Sequence, residues 1–273
     1  MQRTDAGLPR RALAEVERDA ADDGVGRGLT RAALIIPVAG AVVVAVAALH
    51  RPSFLALVKE DGPIEWAQFA AFAIASVLLG MSAVLLTRRG DHVAALLIGI
   101  GALGFLGIAG EEISWGQRIL GLETPESLSA VNHQNEINLH NITTFPMQRI
   151  GNYLQLVIGG AGLLLPWLTR VRRPRVRNRL LRLVSPPLFL GVAFGMLFTY
   201  RAVRLLWDRE VLTVVKYGEW PELMLACGIL VYAVLLLRGL RRHSSIGTAA
   251  PATTYKARAG RRRDEETVLP TTG

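Results

Sequence analysis

Apolar residues are gathered along the chain into six blocks, separated by shorter stretches that are rich in charge, glycine and proline. Each block is close to the roughly 20 residues that a helix needs to cross a bilayer core. Soluble domains of this size interrupt their apolar runs with charges more often. The pattern therefore predicts an all-α fold, a polytopic membrane helical bundle of about six transmembrane helices, over residues 32–49, 64–86, 92–110, 150–168, 185–205 and 221–238.

Composition agrees with a membrane protein and excludes several other classes. The chain has 273 residues, of which 51% are hydrophobic. Its only cysteine, Cys227, lies in an apolar block, which excludes an internal disulfide and a cysteine-based metal cluster. The net charge of +9 comes from arginines that stand beside the apolar blocks, without zinc-finger spacing or a basic stripe interleaved with aromatic residues. We therefore expect the lipid bilayer as the surroundings and no nucleic acid as a partner.

The arginines also predict which side each loop faces. Six lie in residues 1–31 and seven in residues 169–182, whereas the 39 residues of 111–149 hold only Arg118 and Arg149. Cytoplasmic loops carry the excess of Lys and Arg. This distribution predicts cytoplasmic termini, outward-facing loops after the first, third and fifth spans, and a multi-pass location in the cell (plasma or inner) membrane.

Three regions follow from these assignments. Residues 1–31 lack the apolar core and cleavage site of a signal peptide and are predicted to be a mobile cytoplasmic tail. Residues 32–240 form the membrane domain, with an outer loop over 111–149. Residues 241–273, rich in Ser, Thr, Ala and charge, are predicted to be a disordered cytoplasmic tail. In the third span, glycines are expected to allow close helix packing at positions 101, 104, 107 and 110.

The predicted outer side collects ionisable residues. Glu111 and Glu112 end the third span within the string GEEISWGQR, and on a continuous helix they point about 100° apart. One could face the bundle interior while the other faces the interface. Ionisable groups concentrated at one level of a membrane protein indicate a functional site, although interfacial carboxylates without chemistry are the alternative. The same layer holds Glu60, Asp61, Glu65, Arg201, Arg204, Lys216, Glu219 and Glu222.

The outer loop contains a second candidate, VNHQNEINLHN over residues 131–141. If this segment is helical, Asn132, Glu136 and His140 follow at intervals of four, and His133 shares their face. Two imidazoles and a carboxylate suit a divalent metal such as zinc. The sequence thus predicts His133, Glu136 and His140 as metal ligands, with a hydrogen-bonded polar cluster without metal as the alternative.

Three functions are compatible with this pattern. The first is a metal-dependent hydrolase of a lipid or lipid-linked substrate, in which Glu111 or Glu112 is the acid or base and Arg118 orients an anionic group. The second is a transporter or channel for a small solute or ion, lined by Glu65, Glu111, Glu112 and Glu222. The middles of all six spans lack Asp, Glu, Lys and Arg, which counts against proton-coupled transport. The third is a non-catalytic membrane partner, and the sequence does not indicate an oligomeric state.

The string GEEISWGQRILGLETP followed by NHQNEINLHN, over residues 110–141, resembles a group of uncharacterised bacterial multi-pass membrane proteins. In these, EEISWGQR is followed by NxQxExNLHN, and the resemblance implies a shared site without an assigned activity. A weaker similarity is to the alkaline ceramidase and adiponectin-receptor hydrolase superfamily, which binds zinc within a helical bundle. Glu111 and Ser114 fit its early motif, but Arg118 replaces a histidine and the last span lacks the histidine pair. No catalytic residue is carried over from it.

Overall fold

A computed structural model describes residues 8–60, 62–132, 136–138, 147–171, 178–207 and 211–247 of the protein. The predicted helical membrane bundle is confirmed, because six segments among these residues are long and apolar enough to cross a membrane. These are Arg27–Ala47, Arg51–Arg88, His92–Glu112, Arg149–Val171, Leu188–Leu206 and Leu212–Arg242.

The α-helices are α1 (Leu8–Asp22), α2 (Arg27–Ala47), α3 (Arg51–Val58), α4 (Pro63–Arg88), α5 (His92–Glu112), α6 (Gln117–Leu120), α7 (Glu126–Ser129), α8 (Met147–Pro166), α9 (Arg179–Val184), α10 (Gly191–Leu206), α11 (Leu212–Tyr217) and α12 (Glu219–Gly247). Short 3₁₀ turns precede α6 and α10, and a π-type turn continues α8. The span formed by α10 begins after Pro186 and Pro187, whose missing N–H groups suit the first positions of a helix.

Helix α4 is the centre of the bundle and packs against α5 on one side and α12 on the other. Its buried positions include Phe72, Ala75 and Leu79, spaced by three or four residues along one side of the helix. The hydroxyl of Ser76 donates a hydrogen bond of 2.7 Å to the carbonyl oxygen of Ala102 in α5. These contacts join three spans into one apolar core.

Close contacts between helices occur at glycines of α2 and α8, and not at the glycines of α5 at positions 101, 104 and 107. A Cβ added at Gly162 would lie 2.1 Å from the ring of Phe194 in α10, and one at Gly159 would lie 2.9 Å from the backbone nitrogen of Phe198. In α5, an added Cβ would meet nothing within 4 Å at positions 101, 104 and 107. The predicted role of those three glycines in packing against another helix is therefore wrong among the described residues.

The N-terminal segment is also different from its prediction, because Leu8–Asp22 is a helix packed on the bundle and not a mobile tail. Val16 and Ala20 are one turn apart and both belong to the buried core. Asp19, on the same side, is 8% exposed. Its carboxylate accepts hydrogen bonds from Arg170 at 2.8 Å and from the backbone N–H of Leu188 at 2.7 Å. Although the segment is rich in arginine, the side of α1 that carries Val16, Asp19 and Ala20 packs against the bundle.

The end of the bundle that carries α1, called here the inner end, also contains the turn between α4 and α5 and the last part of α12. Arg179 pairs with Asp91 at 2.8 Å, and Arg89 donates to the carbonyl oxygen of Leu240. With an even number of crossings, α1, which precedes the first span, and the end of α12, which follows the last crossing, lie on the same side of a membrane. That this side is cytoplasmic stays a prediction. Helix α12 extends beyond the predicted boundary at 240, and residues 248–273 lie outside the described part of the chain.

Candidate functional site

The opposite end of the bundle, called here the outer end, brings carboxylates from three spans together. Glu65 lies in the first turn of α4, Glu112 ends α5, and Glu219 and Glu222 begin α12. Helix α4 packs against both of the other helices, so the three helix ends lie side by side. The charges that act most strongly on Glu112 are those of Glu222, Glu219, Glu65 and Glu111, and all are negative. Glu65 of α4, Glu112 of α5, and Glu219 and Glu222 of α12 are called the acidic cluster below.

A strained turn stops α5 directly after the paired glutamates. Ser114 and Trp115 have φ values of 47° and 53°, and Gly116 follows with 78°. A left-handed conformation in a non-glycine residue costs on the order of 1–3 kcal/mol. No continuous helix therefore follows Glu112, because the backbone leaves the right-handed helical conformation at Ser114.

The two glutamates lie in different surroundings because of this turn. The indole Nε1 of Trp115 donates a hydrogen bond of 2.7 Å to Glu111 Oε1, and the Trp115 side of the turn is exposed. Glu112 is half-buried and belongs to the acidic cluster. Glu112 is therefore placed next to the carboxylates of α4 and α12, whereas Glu111 accepts the hydrogen bond of Trp115.

The outer loop returns to this turn through Glu136, which is 8% exposed. Glu136 Oε2 accepts hydrogen bonds from the hydroxyl of Ser114 at 2.9 Å and from Nδ2 of Asn138 at 2.6 Å. Nδ2 of Asn132 donates to the backbone oxygen of Glu136 at 2.9 Å and to Oδ1 of Asn138 at 3.0 Å. Such side-chain bonds to nearby backbone compete with helix formation.

The predicted helical face is accordingly wrong at the described residues of the loop, since Asn132, Glu136 and Asn138 are not helical. The side chain of Gln117 forms two hydrogen bonds with the same loop. Its Oε1 accepts from the backbone N–H of Ile137 at 2.6 Å, and its Nε2 donates to the hydroxyl of Thr124 at 2.7 Å. The loop is thus a hydrogen-bonded support for the end of α5.

The side chains of three of the six predicted site residues are not described by the structure. His133 and His140 lie outside the described residues, and Arg118 is described only by its backbone in α6. Among the side chains that are described, no group of three or more His, Cys, Asp or Glu residues is arranged to hold a metal ion. Because two of the three predicted ligands belong to the undescribed part, the metal site stays a prediction.

Gln68 is a member of the site that the sequence analysis missed. It is 0% exposed, and its Nε2 donates to the backbone oxygen of Glu219 at 2.8 Å and lies 3.5 Å from Glu219 Oε2. Its Oε1 is buried and accepts no hydrogen bond from the described residues. The signal was present in the sequence, because Gln68 follows Glu65 by three residues in an otherwise apolar helix and so shares its face.

Two basic side chains contact the acidic cluster from the side of α10 and α11. Arg201, half-buried, donates to Glu222 and, through Nε, to Oε1 of Gln155 in α8 at 2.6 Å. Lys216 lies 3.9 Å from Glu219 and 3.5 Å from Glu60. The outer end is therefore a linked polar layer above an apolar bundle, with its carboxylates inside and its strained turn at one edge.

Comparison of the chain with protein-family models, with curated proteins and with solved structures finds no match. The resemblance based on EEISWGQR and NxQxExNLHN therefore stays an expectation, and a function has to be argued from the geometry of the outer end.

Proposed function

We propose that the protein is an enzyme of the cell membrane that hydrolyses a lipid or lipid-linked substrate at its outer face, with Glu112 as the general base. The observation that carries the proposal is the placement of Glu112. It ends a span, lies among the carboxylates of two neighbouring helices, and is held by a strained turn that the outer loop supports. Unusual backbone conformations and concentrated ionisable groups both occur preferentially at functional sites.

The proposed reaction is the hydrolysis of an ester or phosphoester bond. The Glu112 carboxylate accepts a proton from a water molecule, and the water oxygen bonds to the carbonyl carbon or phosphorus. The bond to the leaving oxygen then breaks, and that oxygen receives the proton from Glu112. A general base of this kind contributes about 10²–10⁴-fold to a rate.

The depth of the site supports a substrate that is presented by the bilayer. The acidic cluster lies at the ends of spans, where a charged group costs less than at the bilayer centre and where lipid headgroups are within reach. Exposed Trp66 and Trp115 stand at the same level, as belt residues at a membrane interface do. We therefore expect the scissile bond to be in or next to a headgroup.

The test compares two neighbouring carboxylates in reconstituted protein. Wild type, Glu112→Gln and Glu111→Gln are placed in liposomes of a bacterial polar lipid extract, and lipids are followed by mass spectrometry. We expect a time-dependent loss of one lipid class with wild type, and a decrease of about 100-fold or more in Glu112→Gln. Glu111→Gln should keep most of the rate, because Glu111 is bonded to Trp115. Loss in Glu111→Gln with retention in Glu112→Gln would overturn the assignment.

Metal dependence is tested separately on the same preparations. We expect stoichiometric zinc or another divalent metal in wild type, and its loss in His133→Ala and in His140→Ala. A metal-free wild type that still hydrolyses lipid would remove the predicted metal and leave the role of Glu112 intact.

A further inference from the structure

One buried oxygen of the outer end lacks a donor. Gln68 is fully buried, and among the described residues its Oε1 accepts no hydrogen bond. Buried polar atoms in folded proteins are almost always paired, so each exception calls for an explanation, of which an absent ligand is one.

The hydrogen bond of Gln68 Nε2 fixes the orientation of the Gln68 side-chain amide. The group 2.8 Å from Gln68 is a backbone carbonyl oxygen, that of Glu219, which can only accept. Rotating the amide by 180° would place two acceptors against each other. The nitrogen must therefore face Glu219, and Oε1 is the atom that needs a donor.

The charges around Gln68 limit what that donor can be. The same amide lies 3.5 Å from the Glu219 carboxylate, on which the negative charges of Glu222 and Glu65 and the positive charge of Lys216 act. The four carboxylates of the acidic cluster outnumber the two basic side chains that contact it, Arg201 and Lys216. Such surroundings disfavour an anion. A metal ion needs several converging oxygen ligands, and the described side chains show no such group. A cation that carries its own N–H donors fits both the charge and the open acceptor.

We propose that Gln68 and the acidic cluster bind a primary ammonium group, and that the lipid substrate bears one. A primary ammonium has three N–H donors, which one amide oxygen and two carboxylates can accept. Glu65 lies three residues before Gln68 on the same face of α4, so this carboxylate is one turn nearer to the outer surface. This inference rests on the proposed function, because it names the substrate class of the same site.

The test uses two zwitterionic lipids that differ at the headgroup nitrogen, which carries three N–H donors in one and three methyl groups in the other. Purified protein is exchanged into nanodiscs of phosphatidylglycerol with increasing fractions of phosphatidylethanolamine or phosphatidylcholine, and bound lipid is measured by native mass spectrometry. Both headgroups have the same charge, but the trimethylated one donates no hydrogen bond. We expect phosphatidylethanolamine to be retained at least about tenfold better, because a site built to bond N–H groups rejects the analogue that lacks them.

Two variants provide a matched comparison. Glu219→Gln keeps the backbone oxygen that fixes Gln68 but removes a carboxylate of the site, and we expect it to lose the preference. Glu60→Gln also removes one partner of Lys216, yet it lies outside the acidic cluster, and we expect it to keep the preference. Soluble ethanolamine is added in a separate arm. If it displaces bound phosphatidylethanolamine at millimolar concentration, the site recognises the amine itself, whereas a lack of displacement assigns recognition to the lipid-borne amine.

Equal retention of the two lipids by wild type, or an unchanged preference in Glu219→Gln, would overturn the ammonium site. These outcomes are independent of the hydrolysis experiment. Activity that depends on Glu112 without a preference for the primary amine would leave the proposed function and refute this inference. A preference for the primary amine without any hydrolysis would do the reverse.

Discussion

The attachment of α1 to the bundle allows a quantitative test through Asp19. Asp19→Asn keeps the size of the side chain but removes its negative charge. That charge strengthens two hydrogen bonds, one from Arg170 at 2.8 Å and one from the backbone N–H of Leu188 at 2.7 Å. Both carboxylate oxygens of Asp19 are used. The asparagine amide offers only one acceptor, so one of the two contacts must become a repulsion between donors.

The magnitude follows from the burial of this ion pair. Removing one partner of a buried ion pair costs about 3–5 kcal/mol. Arg170 retains a second carboxylate, Asp23, at 2.9 Å, so the lower limit of about 3 kcal/mol applies to Asp19→Asn. For a chain of this size each kcal/mol lowers Tm by roughly 2–4 °C. We therefore expect a decrease of about 6–12 °C, measured in detergent at a fixed scan rate.

Asp23→Asn is the matched control, because it removes the other carboxylate of the same arginine. Burial raises the pKa of Asp23 above its usual value of 3.8, and the neighbouring Arg170 only partly offsets this effect. Its charged form is thus less favourable in the folded protein than in the unfolded chain, and Asp23→Asn should cost clearly less than Asp19→Asn. A Tm for Asp19→Asn equal to that of Asp23→Asn would refute the anchoring role of Asp19.

The pKa of Asp23 also gives a sign for the pH dependence of stability. Between the usual and the raised pKa, the folded protein binds more protons at Asp23 than the unfolded chain does. The contribution of this group to stability is therefore fully present below 3.8 and decreases as pH rises through the raised pKa. Asp23→Asn should remove this part of the slope when Tm is measured against pH.

Three further predictions concern packing, strain and sidedness. Gly162→Ala should lower the free energy of unfolding by about 1–3 kcal/mol, because the added methyl group forces α8 away from α10. Gly104→Ala has open space around it and should be neutral, so equal effects of the two variants in thermal unfolding would contradict the packing of α8 on α10. Ser114→Ala and Ser114→Gly both lose the hydrogen bond to Glu136, but only glycine relieves the strain of the positive φ. Ser114→Ala should therefore unfold at a lower temperature than Ser114→Gly, and the opposite order would contradict the strain at this turn. A cysteine in place of Glu123, in a cysteine-free background, should react with a membrane-impermeant maleimide in intact cells, and labelling only after lysis would reverse the predicted topology.

The six spans could be predicted because their signal is local. A helix that crosses a bilayer must satisfy its backbone internally and be apolar along its length, and both requirements can be read from about 20 consecutive residues. The third span shows this, since the predicted 92–110 differs from His92–Glu112 by two residues at one end. The docking of α1 has no such signal, because Asp19 and its partner Arg170 are separated by 151 residues.

The candidate site was predictable by composition but not by geometry. Glu112 was predicted as an acid–base candidate at the end of a span, and Glu136 as one of three metal ligands in the outer loop. The left-handed turn at Ser114 and Trp115 was missed, because neither residue type favours a positive φ and only the following Gly116 suggests a change of direction. The spacing of Gln68 from Glu65 was visible in the sequence, but its bond to Glu219, which is 151 residues away, was not.

The places where local rules are broken show where the function of this molecule is to be sought. The core obeys those rules, with Phe72, Leu79 and their neighbours buried at helical spacing. The two strained non-glycine residues and the one buried oxygen without a donor among the described residues all lie at the outer end, within or beside the acidic cluster. Each costs free energy that an apolar substitute would avoid. Natural sequences tend to retain such conflicts at functional sites, so the same features that destabilise this end support a role for it in binding and chemistry.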